Sequence, residues 1–117
     1  MEKFKVYEDG NPAFFVDTDN YKFADELARE QAARYNKTVI IERTEDKQTE
    51  AVFIGKIEIY RNARGFSICK KGRYNRTEYL KSIYNGKPVF IEDYTHQKHY
   101  ATLKTARSTA ERINSAL

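Results

Sequence analysis

Two short stretches of this chain hold residue types from which catalytic or metal sites are built. In DYTHQKH, Asp93, His96 and His99 follow one another at three-residue intervals. Two imidazoles and a carboxylate can ligate zinc or another divalent ion. The segment nevertheless reads as a polar turn between strands, and alternation would send His96 and His99 to opposite faces, so no metal is expected. In GFSICKKG the single cysteine, Cys69, would be a nucleophile if its thiol were exposed beside Lys70 and Lys71, which favour the thiolate. It lies in a β-rich run, where a small sulfur side chain packs in a sheet. The five glycines form neither a dinucleotide fingerprint nor a phosphate loop, and there is no His-Glu-x-x-His. No catalytic residue, cofactor or enzymatic activity is expected.

A third stretch, YRNARGFSICKKGRYNRTEYLK, suits binding rather than catalysis. Between residues 60 and 81 it interleaves Arg61, Arg64, Lys70, Lys71, Arg73, Arg76 and Lys81 with Tyr60, Phe66, Tyr74 and Tyr79. Arginine and lysine neutralise phosphates and release counterions, while aromatic faces stack on bases. The turns RNARG and KKGRYNR are expected to gather this charge at one end of a hairpin. Two plainer accounts compete. Lysine and arginine also keep an edge strand from aggregating, and arginine with tyrosine also anchors protein interfaces.

Charge is segregated along the chain. Residues 1–60 carry nine Lys or Arg against thirteen Asp or Glu, whereas residues 61–87 carry eight against one. A concentrated basic stretch creates a local field that the overall net charge of +4 does not convey. With 117 residues, 40% hydrophobic and 32% charged, the composition fits a soluble, folded single domain. One cysteine leaves no internal disulfide and no thiolate zinc cage. No run approaches a bilayer span and the N-terminus lacks an apolar signal core, so a cytoplasmic protein without membrane association is expected.

These residues must be positioned by sheet and helix. KFKVYE, Asp9-Gly10 and NPAFFVD read as a hairpin, with Pro12 at a strand start or sheet edge. A helix follows, capped by Asp19 or Asn20, with Ala24, Leu27, Ala28, Ala32 and Tyr35 on its apolar face and Asn36 as its stop. TVIIER, AVFIGKIEIY (with a bulge at Gly55) and FSICKK read as strands. Residues 76–84 are ambiguous between helix and strand, with a lean to strand because Asn85-Gly86 favours a hairpin. The last helix starts at Thr102 and presents Leu103, Ala106, Ala110, Ile113 and Leu117.

GNPAFFVD and GKPVFIED match at an offset of 76 residues, and AREQAARYN and ARSTAERIN at 78. The pair of matches points to an internal pseudo-two-fold repeat of hairpin-plus-helix units, about 3–44 and 79–117, with the basic segment 51–78 between them. Against this, Ala and Arg suit any helix and Gly-x-Pro any turn. The fold expected is α+β, two-layered, a mainly antiparallel sheet with two helices.

The passage HYATLKTARSTAERI resembles the strand-to-helix segment of many small sheet-plus-helix proteins of phages and mobile elements, some of which bind DNA. The resemblance has no diagnostic motif and assigns no residue. The function expected is a small non-enzymatic protein binding DNA or RNA through residues 60–81. The alternative is a protein–protein interaction module, such as a phage- or element-encoded inhibitor or adaptor of a nucleic-acid-handling machine.

Overall fold

The computed structural model describes residues 2–117. The chain forms two compact units, one ending at Lys56 and one beginning at Ile57.

In the first unit, segments rich in aromatic and other apolar residues form β1 (Phe4–Glu8) and β2 (Asn11–Thr18), joined across Asp9-Gly10. After the helix α1 (Tyr21–Tyr35) come β3 (Thr38–Arg43) and β4 (Thr49–Ile54). The strands pair antiparallel in the order β2-β1-β3-β4. In that order β2 and β3 run the same way with β1 between them, so the chain must cross the sheet to join them, and α1 is the crossover. Pro12 is the second residue of β2, the outermost strand of this unit, where a missing N–H is tolerated.

Both ends of α1 are set by asparagines. The Asn20 side chain accepts the Phe23 N–H at 3.2 Å, and Asn36 adopts the left-handed conformation (φ 48°) that stops the helix. Ala24, Ala28 and Ala32 recur every four residues and bury against Phe4, Val6, Val39, Ile41, Ala51 and Phe53, with Leu27 alongside. Alanine brings the helix close to the sheet and loses no side-chain entropy. Tyr35 departs from the expected apolar face. It is exposed at the helix end, where its ring faces Arg34 and Lys37 at 5.7 and 5.1 Å.

The second unit is a meander followed by a helix. AVFIGKIEIY is not one bulged strand; it breaks at Gly55-Lys56, so β5 (Ile57–Asn62) starts afresh. Next come β6 (Gly65–Lys71), β7 (Thr77–Tyr84) and β8 (Lys87–Ile91), each antiparallel to the one before it. Residues 77–84 are strand, and Asn85 and Gly86 both take positive φ in the turn after them. Ile57, Ile59 and Ile68 share one face and are fully buried. The helix α2 (Leu103–Ser115) is capped by Thr102, which accepts the Thr105 N–H at 3.3 Å. It packs on β5 and β6 and buries Ala106, Thr109, Ala110 and Ile113, while Leu117 beyond its end is exposed.

A short strap fills a gap in this sheet. β6 and β7 pair only from Cys69 to Lys71 and Thr77 to Tyr79, before β7 bulges between Leu80 and Ser82. Into the opening runs the segment 97–100. Lys98 N–H donates to the Leu80 carbonyl at 2.8 Å, while Phe66 and Tyr100 exchange backbone hydrogen bonds of 2.8 and 2.7 Å. The strap belongs to the sheet without being a strand of it.

Each unit is thus a two-layer α+β arrangement of four antiparallel strands and one helix. The internal repeat is not confirmed. The first unit places its helix between two strand pairs, and the second places it after all four strands. Helix α1 packs on β1, β3 and β4, whereas α2 lies mainly on β5 and β6 rather than on the hairpin preceding it. Segment 51–78 is part of the sheet itself. It supplies most of β4, and all of β5 and β6, the strands that carry the core.

Candidate functional site

The basic residues of segment 60–81 separate into two groups, because consecutive turns of a meander lie at opposite ends of the strand between them. The β5–β6 turn carries Arg61 and Arg64; the β6–β7 turn carries Lys71, Arg73, Tyr74 and Arg76. The seven residues of β6 hold them about 20 Å apart. Charge therefore does not collect at one hairpin end, which corrects the sequence reading. Lys81 is exposed beside the bulge in the middle of β7.

The β6–β7 turn is the stronger group. Gly72 N–H donates to the Arg76 carbonyl at 2.7 Å and Arg76 N–H to the Arg73 carbonyl at 3.2 Å, closing a tight loop. Within it Tyr74 and Asn75 both take left-handed backbone conformations, φ 57° and 58°. Tyr74 is 91% exposed, so its ring stands in solvent, with Arg73 and Arg76 close by in sequence. Among the described residues no carboxylate lies within ion-pair distance of Arg73. Arg76 pairs with Glu92 at 3.6 Å, but both are well exposed and such a pair is weak. The Lys71 ammonium donates to Thr77 Oγ1 at 3.0 Å and remains at the surface.

Three other residues of the expected site serve the fold. Lys70 is pinned by Glu78 at 2.8 Å, with its ammonium 5.0 Å from the centre of the Phe90 ring. Phe66 is buried beneath Arg61, whose guanidinium lies 5.0 Å from its ring centre, so it offers no free face for stacking. Tyr79 lies half-buried in an edge-to-face row with Tyr60 and Tyr94, ring centres 6.4 and 6.2 Å apart.

That row borders a polar cluster that the sequence reading did not anticipate. Glu58, Tyr60 and Asn62 alternate along β5, and opposite them on β6 stand Cys69, Ser67 and Gly65. The Cys69 thiol donates to Glu58 Oε1 at 3.5 Å, both residues being buried. Asn62 Nδ2 donates to Ser67 Oγ at 2.9 Å, and Ser67 Oγ meets His99 Nδ1 at 3.1 Å. The Tyr60 hydroxyl donates to the Gln97 side chain. The strap thus sends Gln97 and His99 onto this face. The serine–histidine contact has the form of a nucleophile and base, but Ser67 is fully buried and offers a substrate no approach. His96 goes elsewhere, to Asp93 at 3.6 Å. The two histidines of DYTHQKH therefore do not converge. Asp93 accepts from the Thr95 side chain and backbone, which holds its carboxyl below the usual carboxylate range. The signal in the sequence was period-two alternation in EIYRN and GFSIC, which fixes one polar face.

Burial pushes the Tyr60 phenol up to about 12, with the nearby Cys69 adding to the effect. Burial likewise raises Tyr79. An unfolded tyrosine ionises near pH 10, so between about pH 10 and 12 the unfolded chain binds fewer protons than the folded one. Stability is therefore present below pH 10 and falls as pH rises through that window. A tyrosinate absorbance titration is expected to show a late-ionising phenol that Tyr60→Phe removes. A single step for all nine tyrosines near their ordinary value would refute this.

No helix among the described residues is long and apolar enough to cross a membrane. Compared with protein-family models, curated proteins and solved structures, the chain finds no match.

Proposed function

We propose that this is a small nucleic-acid-binding protein that performs no covalent chemistry and makes contact through the β6–β7 turn. The observation that carries the reading is the exposed ring of Tyr74, with Arg73, Arg76 and Lys71 close by in sequence. Charge distribution supports it. The second unit holds twelve Lys or Arg against five Asp or Glu, and the first unit nine against twelve, so a polyanion is drawn to the second. Phosphate contacts would supply most of the affinity, which must then fall steeply with salt.

The test is a gel shift with DNA and RNA probes at low and moderate salt, comparing the wild type with Arg73→Glu/Arg76→Glu. Reversing two of the turn's charges is expected to weaken binding about tenfold or more and to flatten the salt dependence. Because Glu at position 76 would face Glu92, circular dichroism must show that the variant is folded, and Lys71→Ala/Arg73→Ala provides a milder second measurement. Wild-type protein that shows no salt-sensitive binding would refute the reading.

A second reading, a protein-interaction module such as an inhibitor or adaptor of a nucleic-acid-handling machine, draws on a different surface. Ile83, Tyr84 and Val89 are exposed on the β7–β8 hairpin, around the Asn85-Gly86 turn. Apolar and aromatic groups of this kind anchor protein interfaces. A partner retained on the protein after nuclease treatment, and lost from Tyr84→Ala, would favour it.

A further inference from the structure

We infer that Tyr74 is a base-stacking residue, and that the ligand of the β6–β7 turn is single-stranded nucleic acid rather than duplex; the inference rests on the reading above and narrows it. The backbone gives the first argument. Tyr74 (φ 57°, ψ 29°) and Asn75 (φ 58°) stand in the left-handed region, which glycine and asparagine occupy readily and an aromatic residue does not. The turn keeps a tyrosine there with no packing in return, since the ring is 91% exposed. The two backbone hydrogen bonds across the loop, Gly72 to Arg76 and Arg76 to Arg73, fix the turn that displays it. An unfavourable conformation held in place and pointed at solvent suits a group awaiting a partner.

The chemistry of the surrounding groups identifies the partner. A lone ring presents two π-faces, and the complementary surface is another planar ring. Arg73, Arg76 and Lys71 lie close by in sequence, where the phosphates on either side of a stacked base would run. Base faces are open only in a single strand, because in a duplex each is covered by its neighbours and must be unstacked first.

The rest of the unit offers little to a duplex. Helix α2 is its one long helix, and the surface of that helix mixes Lys104 and Arg112 with Glu111, which itself pairs with Arg107 at 3.7 Å. A mixed helix face of this kind has no strip of positive charge to lay along a groove. Arg61 and Arg64 lie at the far end of β6 and can meet only a more distant part of a flexible strand.

Fluorescence anisotropy with labelled oligothymidylate, oligouridylate and a mixed-sequence duplex, at one fixed salt concentration, tests this. Wild-type protein is expected to bind at least one single strand more tightly than the duplex; the ratio of the thymidylate and uridylate affinities reports any DNA or RNA preference. Tyr74→Ala is expected to lose about tenfold in single-strand affinity and to leave duplex affinity unchanged, while Tyr74→Phe, which keeps the ring, retains single-strand binding. Tyr74→Trp should show fluorescence quenching on adding either single strand. Duplex bound as tightly as both single strands, or Tyr74→Ala bound like wild type, overturns the inference and leaves salt-sensitive nucleic-acid binding standing. Absence of any binding by the wild type here, together with no salt-sensitive binding in the gel shift, overturns both.

Discussion

Gly65→Ala is expected to lower the stability of the second unit by about 3 kcal/mol or more, although it adds one methyl group. Gly65 opens β6 at φ +116°, a conformation that side-chain-bearing residues rarely adopt. A Cβ there would lie 2.3 Å from the Tyr100 carbonyl oxygen and 3.2 Å from its carbon. Those are backbone atoms, and the oxygen already accepts the Phe66 N–H at 2.8 Å, so neither can move without breaking the strap's attachment to β6. Gly86→Ala is the control. Gly86 also has positive φ (+76°), but its added Cβ would meet nothing within 4 Å, so it carries backbone strain alone, worth about 1 kcal/mol. Urea denaturation of the two variants separates the effects, and hydrogen exchange at Phe66 and Tyr100 should speed up in Gly65→Ala only. Equal losses in the two variants would show that the close contact contributes nothing.

Phe53→Ala is expected to cost about 3–5 kcal/mol, the largest effect in the first unit. Phe53 is 1% exposed and sits in β4 within the cluster of Phe4, Val6, Val39 and Ile41 beneath the alanines of α1. Removing the ring leaves a cavity that the small residues Ala24, Ala28, Ala32 and Ala51 cannot fill, since each ends at Cβ. It also removes the face that the Arg29 guanidinium covers at 5.2 Å from the ring centre. Phe53→Leu should cost much less, about 1.5 kcal/mol, because most of the volume stays. Thermal unfolding followed by circular dichroism measures both. Closely similar midpoints for the Ala and Leu variants would mean that the core collapses onto the site.

Much of the fold was legible because local signals and burial agreed. The caps at Asn20, Asn36 and Thr102, the Asp9-Gly10 and Asn85-Gly86 turns, and the alanine stripes of both helices each follow from a few neighbouring residues. The break at Gly55 was not legible, since apolar residues on both sides hide a two-residue turn inside what reads as one strand. The repeat stays unconfirmed for a related reason: matching segments specify a hairpin and a helix, but not which strands the helix will cover. In the basic segment, residue type gave the charge, whereas only topology places RNARG and KKGRYNR at opposite ends of β6. Phe66 and Tyr74 look alike in the sequence. Alternation buries the first, and a left-handed turn exposes the second.

The pairing of α2 with β5 and β6 has a consequence for the order in which the chain is made. The first unit has all its strands and its helix once Lys56 has emerged from the ribosome. The face formed by Ile57, Ile59 and Ile68 is translated early in the second unit, but α2 begins only at Leu103. Throughout that interval a nascent chain presents a row of isoleucines with no helix to cover it. Aggregation of incomplete chains is therefore expected to begin in this half, before any loss of the finished protein.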